Sequence, residues 1–263
     1  MAEERITYPS ASGGVPAYLA HPDGSGPYPG VIVIQEVFGL VPHIEDIARR
    51  FAQEGYVAIA PDLYCHDELF KSLSAQDIGM SFAVRGPDIE AGLAQLPEDR
   101  RDNVRRAIEW RTKKDSSTYI PDLQSALAYL QSRPDVRNDA IASIGYCMGG
   151  GLSAQLACTG ADLAACVINY GPIPPLDQVK NIKCPVQGHY GSEDPGITLK
   201  VPELEQAMKD AGKEFTAYVY EGAQHGFFAD YRPSYNAEAA KLTWERTLDF
   251  FNRNLKRQPV GAR

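Results

Sequence analysis

A mostly parallel β-sheet with helices on both faces is the α/β fold class this sequence predicts. Three observations lead there. Short apolar runs rich in β-branched residues alternate with amphipathic helical ones for most of the length, the pattern of strands joined by helical crossovers. The 263 residues, 44% of them hydrophobic, can bury a full core, and no linker, internal repeat or low-complexity tract divides them. The strand at 140–145 turns at once into a glycine-rich helical start, as a strand does where it reaches a ligand-binding edge. Residues 1–263 are therefore expected to form one domain.

The elements follow in order. Residues 6–20 carry two short alternating runs around Ser12-Gly13-Gly14, an antiparallel hairpin at the sheet edge. Strands are expected at 30–35 and 56–60 with a helix at 44–53 between them, and a helix at 121–131 leads into the strand at 140–145. Further strands fall at 165–169, 186–190 and 215–220, and a closing helix runs from about 236 to 255. Residues 67–119 break the rhythm, since a direct step from strand to helix needs far fewer residues. This polar, helical excursion is read as a cap-like insertion over the carboxyl ends of the strands, lining the substrate entrance. Its basic stretch, 100–114, is interleaved with acids and reads as a solvated helix face or part of a lid.

The run Ile141-Ala-Ser-Ile-Gly145-Tyr-Cys147-Met-Gly149-Gly-Gly151 carries the chemistry. In the nucleophile elbow G-x-S-x-G of the α/β-hydrolases, the central residue sits in a strained turn. A side chain two places to either side would collide with the neighbouring strand or helix. Gly145 and Gly149 fill those places, and Cys147 stands where the serine would. Such a pentapeptide arises by chance in roughly one chain in ten of this length, so the weight rests on the apolar strand before it and the alanine-rich helical stretch after it. The competing reading is a small core residue, which free cysteines commonly are.

A thiol works as a nucleophile only as thiolate, with a histidine beside it that a carboxylate orients. In this fold the order along the chain is nucleophile, acid, histidine, each at a strand end. The strand at 186–190 breaks at Gly191-Ser-Glu193-Asp194-Pro195, and the strand at 215–220 breaks at Glu221-Gly-Ala-Gln-His225-Gly226. Asp194 is read as the acid, with Glu193 competing, and His225 as the base. His189 falls inside a strand and reads as a packing histidine. Gln35-Glu36-Val37-Phe38-Gly39-Leu40 ends the strand that carries the other half of the oxyanion hole, so the N–H groups of Val37 and Met148 would hold a tetrahedral intermediate's oxygen. Glu36 is out of place there, because a carboxylate would repel that oxygen; the alternative is a solvated loop glutamate.

Composition narrows the partners. A net charge of −8 argues against a nucleic-acid surface or an anionic membrane, both of which need clustered lysine and arginine. The first residues lack a basic segment followed by an apolar run, and no stretch approaches a membrane span, so a cytoplasmic location is expected. Five cysteines without a C-x-x-C pair suit a reducing compartment. The histidines show no metal-ligand spacing, and neither a metal nor another cofactor is implied.

Together these residues resemble the dienelactone hydrolase family, the cysteine branch of the α/β-hydrolases. The likeness rests on residues 35–40, Gly145-Tyr-Cys-Met-Gly-Gly150, the turn at 191–194 and His225-Gly-Phe227, supported by Ala58-Ile-Ala-Pro-Asp-Leu-Tyr64 and by the last helix with Trp244 and Phe250-Phe251. It is weakest across 67–119. The resemblance implies Cys147 as nucleophile, His225 as base, Asp194 as orienter and Glu36 as the group that takes the thiol proton in response to substrate. A resting thiol that stays protonated resists oxidation. One departure stands out. Where the family's lactone-specific members carry an arginine four residues past the histidine to clamp a substrate carboxylate, this chain has Ala229; Arg232 and Arg85 lie near without a matched position.

Two functional readings follow. In the first, the chain is a hydrolase of activated carboxylic esters or lactones, small-molecule substrates that pass through a thioester on Cys147. In the second, it is a small-molecule-binding or thiol-redox protein that keeps the pocket without turnover. The oligomeric state is not encoded in any motif.

Overall fold

The computed structural model describes residues 1–84, 86 and 88–256; Arg85, one of the two arginines considered above, lies outside them. Its sheet has eight strands: β1 (Ala2–Ser10), β2 (Gly13–His21), β3 (Tyr28–Ile34), β4 (Val57–Pro61), β5 (Val136–Tyr146), β6 (Ala165–Asn169), β7 (Val186–Gly191) and β8 (Phe215–Tyr220). They lie in the order β1-β2-β4-β3-β5-β6-β7-β8. The first two form the expected edge hairpin, closed between Ser10 and Gly13, and β2 joins the sheet antiparallel to β4. From β4 to β8 every pairing is parallel. The α/β class read from the sequence is the architecture observed.

Alternation along the strands divides the core in two, because successive side chains of a strand leave opposite faces. Val31 and Val33 of β3 pack with α1 (Pro42–Gln53) and the last helix, alongside Ile44, Phe51 and Phe251. Ile32 and Ile34 face the other layer, with Leu123 and Leu130 of α6 (Ile120–Ser132) and Leu152 and Leu156 of α7 (Met148–Cys158). The last helix, α10 (Ala237–Phe251), begins at Asn236, whose side chain accepts the Ala239 N–H at 3.0 Å, and ends in a π-helical turn, Asn252–Lys256. Two helices between β7 and β8, α8 (Pro195–Thr198) and α9 (Val201–Asp210), were not expected. The buried face of α9, Val201, Leu204 and Met208, is only three residues wide and sits in a charged, proline-punctuated stretch.

The excursion at 67–119 is helical, as read: α2 (Glu68–Lys71), α3 (Ala75–Ser81), α4 (Ile89–Ala94), α5 (Glu98–Lys113) and a 3-10 turn, Ser116–Tyr119. Its basic stretch lies on α5, where Arg105 pairs with Glu90 and Asp102, and Lys113 with Glu109. The two ends of the insertion are clasped by one carboxylate. Asp67 accepts the Phe70 N–H at 3.0 Å, the Trp110 indole N–H at 2.7 Å and the Lys114 ammonium at 2.5 Å. The rings so gathered stand around Tyr64, with centroids 4.0 Å away for Phe70, 5.3 Å for Trp110 and 5.4 Å for Tyr119. The Tyr64 hydroxyl donates to Met148 Sδ at 3.2 Å, so the insertion stands on a residue that touches the start of α7.

Replacing Asp67 leaves the Trp110 donor and the Lys114 charge without their partner in a half-buried place. Asp67→Ala is expected to lower stability by about 2 kcal/mol, read as a lower urea midpoint at unchanged slope. An unchanged midpoint would show that the clasp contributes nothing.

Candidate active site

The site begins at a turn that only glycine allows. Cys147 lies between β5 and α7 with φ 54° and ψ −120°, a left-handed backbone that L side chains rarely adopt. A Cβ on Gly145 would fall 1.8 Å from the carbonyl oxygen of Gly149, and one on Gly149 would fall 2.4 Å from that of Gln35. The turn is held by the Cys147 N–H, donated to Asn169 O at 3.0 Å, and by the Gly150 N–H, donated back to Cys147 O at 3.0 Å. The thiol is half-buried rather than packed away in the core.

The loops after β7 and β8 are laced together. Ser192 N–H donates to Tyr220 O and Glu193 N–H to Ala223 O, each at 2.9 Å, while the Ser192 hydroxyl accepts the Gly222 N–H. They approach so closely that a Cβ on Gly191 would fall 2.2 Å from Ala223 O. This lacing brings Asp194 and His225 into contact. His225 Nδ1 donates to Asp194 Oδ2 at 2.6 Å, and His225 Nε2 shares a hydrogen bond with Cys147 Sγ at 3.1 Å. Glu193, the rival acid, points to solvent. Tyr170, itself at φ 38°, sets its ring edge-on to the imidazole with centroids 5.3 Å apart.

Burial works against charge on His225, but the hydrogen bonds to Asp194 and Cys147 outweigh it and raise the pKa to about 10. A raised histidine favours the charged form. Its contribution to stability is complete below its ordinary value near 6.5 and is lost as pH climbs through about 10. His189 behaves oppositely. It is fully buried, bonded to the Tyr220 hydroxyl at 2.8 Å and to Gln187 Oε1 at 3.0 Å, and burial pushes it down to about 3, as suits a packing histidine.

Glu36 is not a solvated loop residue; it is fully buried. Its carboxylate is held by the guanidinium of Arg232, with Nη2 on Oε2 and Nη1 on Oε1 at 3.3 Å. Burial raises the Glu36 pKa against the opposing pull of Arg232, His225 and Tyr170. Burial also works against the Arg232 charge, which Glu36 and Tyr231 more than restore. Among the described residues no hydrogen bond joins Glu36 to Cys147. Val37 follows at the end of β3, and Met148 is the first residue of α7, where a backbone N–H has no partner within its own helix. Ala229 is fully buried, so the position that the resemblance singled out offers the site no charge; Arg232, three residues on, does.

The sequence model of the dienelactone hydrolase family matches residues 15–255. The chain belongs to the dienelactone hydrolase family. Relatives agree: a provisionally named carboxymethylenebutenolidase of Saccharolobus solfataricus is 35% identical over 259 residues, which cover 95% of this chain and 98% of the relative. A protein of the same provisional name from Escherichia coli K12 is 34% identical over 257 residues, 92% of this chain and 84% of that one. The crystal structure of a provisionally named dienelactone hydrolase from Klebsiella pneumoniae superposes with a TM-score of 0.75 at 31% identity, covering 96% of this chain and 98% of that one. This dienelactone hydrolase family member is therefore an enzyme with the α/β-hydrolase fold, a hydrolase of the ester and lactone class.

Two contributors named in the sequence were given no role there. Arg232 could have been sought from Glu36: a carboxylate inside the apolar run 31–38 needs a cation, and Arg232 is near the histidine in a loop with no other basic residue. Tyr64 gave no local signal. Among the described residues no helix is long and apolar enough to cross a membrane, and no group of three His, Cys, Asp or Glu side chains could hold a metal ion.

Two outcomes are expected. In Asp194→Asn the NMR titration of the His225 ring should move down from about 10 by about 1–3 pH units, whereas an unmoved midpoint would mean that the acid does not hold the imidazole. Arg232→Met, which strands a buried carboxylate, should cost about 3 kcal/mol at neutral pH in denaturant unfolding. The double variant Arg232→Met/Glu36→Gln should recover more than half of that loss.

Proposed function

We propose that this protein hydrolyses activated carboxylic esters or lactones with Cys147 as nucleophile. The observation that carries the reading is the continuous chain from Cys147 Sγ through His225 to Asp194, with contacts of 3.1 Å and 2.6 Å. The sulfur, as thiolate, attacks the carbonyl carbon, and the N–H groups of Val37 and Met148 receive the oxygen that gains the electron pair. Collapse breaks the bond to the leaving oxygen, which takes a proton from His225 Nε2, and leaves a thioester on Cys147. Water then loses a proton to His225, attacks the thioester, and the thiolate departs with the carboxylic acid released. Because thiolate leaves more readily than an alkoxide, amides should react slowly.

Glu36 is the proposed acceptor of the thiol proton when substrate rearranges the site. The pairing with Arg232 supports this in one respect: it offsets the repulsion that made a carboxylate beside the oxyanion position a misfit. The insertion at 67–119 is the proposed cap of the entrance, its base seated on Tyr64 and, through it, on Met148.

The test is hydrolysis of p-nitrophenyl acetate. Cys147→Ala should lower kcat/KM by on the order of 10³-fold or more, and wild-type protein quenched in acid should carry one acetyl group on Cys147 by intact mass. Equal rates would sink the reading. Reversible peroxide oxidation of Cys147 with no acyl transfer would instead favour a thiol-redox protein.

A further inference from the structure

A cleft of about 700 Å³ opens beside the site, and nothing in the chemistry above uses it. Phe38 and Arg232 line it; Cys147 and His225 do not. Those two shared residues are the link. Phe38 follows Val37, the proposed oxyanion donor, and the Arg232 guanidinium that holds Glu36 lies 4.6 Å from the centre of the Phe38 ring and 5.2 Å from that of Tyr231. One layer of side chain therefore separates the cleft from the buried carboxylate of the site.

The walls define what would fit. Val41 and Pro42 from the start of α1 face Ala75 at the start of α3, so the cleft lies between the sheet domain and the insertion. Rings supply much of the rest: Phe38, Tyr231 and His43, the last two edge to face with centroids 5.3 Å apart. Burial pushes the His43 pKa down to about 4, so that ring is neutral at physiological pH. The charged groups of the lining are already engaged or solvated: Arg49 is held by Asp46 at 2.8 Å and Glu3 at 3.2 Å, Arg232 by Glu36, and Asp230 is exposed to water. A small lactone has no need of this space, whose volume lies in the range of pockets that bury drug-sized ligands behind apolar walls.

Building on the ester-hydrolase reading, we infer that this cleft receives a neutral aryl or arylalkyl group of the substrate, remote from the bond that breaks. That makes the preferred substrate an extended aromatic ester rather than a compact lactone. The group could belong to the acid or to the alcohol, and two substrate series distinguish them. In one, the p-nitrophenyl leaving group is kept while acetyl is replaced by 3-phenylpropanoyl; in the other, the acetyl group is kept while phenyl is replaced by 3-phenylpropyl.

At least one series should show kcat/KM rising about tenfold or more with the arylalkyl group, after correction in the second for the poorer leaving group. Ala75→Trp, a change at an exposed helix start that fills the cleft, should erase the gain while leaving p-nitrophenyl acetate within about twofold of wild type. No gain in either series, or a gain that survives Ala75→Trp, would overturn the inference. A binding arm separates its failure from that of the catalytic reading. Cys147→Ala should bind at least one of 3-phenylpropyl acetate and methyl 3-phenylpropanoate in calorimetry, and Cys147→Ala/Ala75→Trp should bind that ester about tenfold more weakly, whether or not Cys147 is the nucleophile. Equal binding by the two would count against the cleft alone.

Discussion

The close approach of the β5–α7 turn to the end of β3 is the constraint on which the rest of the site depends. A Cβ on Gly149 would fall 2.4 Å from Gln35 O and 2.5 Å from Ile34 O, so the helix start sits directly on the last carbonyls of β3. Those carbonyls belong to the run that continues into Glu36 and Val37. This packing holds the half-buried Cys147 at the surface of the core and sets the start of α7 against the run that leads into the buried Glu36. The strain of a non-glycine residue at φ 54°, of order 1–3 kcal/mol, persists because contacts to β3 and β6 on either side leave the turn no other course.

Burying Glu36 sets the next requirement. An isolated carboxylate in a medium of low dielectric would cost several kcal/mol and would take up a proton instead. Arg232 answers with a two-point contact, and the arginine is itself placed by its stacking against Phe38 and Tyr231. A charge pair of this kind contributes little net stability compared with apolar side chains of the same shape, so stability alone is a weak reason for its presence. A role tied to the proton of Cys147, as proposed, gives a stronger one. His225 feels both sides of this arrangement, since Glu36 lies close enough for the two groups to interact, and Asp194 holds its far nitrogen.

Much of this could be read in the sequence, for reasons that particular residues make plain. Gly145 and Gly149 announce the elbow because the exclusion is steric and acts at fixed spacing. The contact of Asp194 with His225 was legible because each follows a strand in a turn that parallel sheets expose; Asp194 was already preferred to Glu193, and the lacing of Ser192 and Glu193 to the β8 loop is the physical reason that Asp194 meets the imidazole. Strand β5 was recognised only from Ala140, since Arg137, Asn138 and Asp139 before it are at least partly exposed and interrupt the apolar run. Arg232 was not assigned, because the loop between His225 and Asn236 has no period from which a direction could be deduced. The Asp67 clasp was invisible for a different reason: Trp110 and Lys114 are 43 and 47 residues away, and nothing local couples them.

That clasp bears on how the insertion can behave. Among the described residues its own apolar cluster, apart from what leans on the sheet, consists of Val84, Leu93, Val104 and Ile108 with Met80 and Leu96 packed against them, too little to hold four helices by itself. Its base is different, with Phe70, Trp110 and Tyr119 packed on Tyr64 and Asp67 binding both ends. Local opening should therefore come more readily in the outer helix α4 than at the base or in α3, whose Ile78 joins the main core, because opening follows the amount of buried apolar contact. Ala75, at the start of α3, lines the cleft on the side of the insertion. On the proposed reading of the insertion as a cap, its foot on Met148 keeps the start of α7 in place while the outer part of the insertion yields.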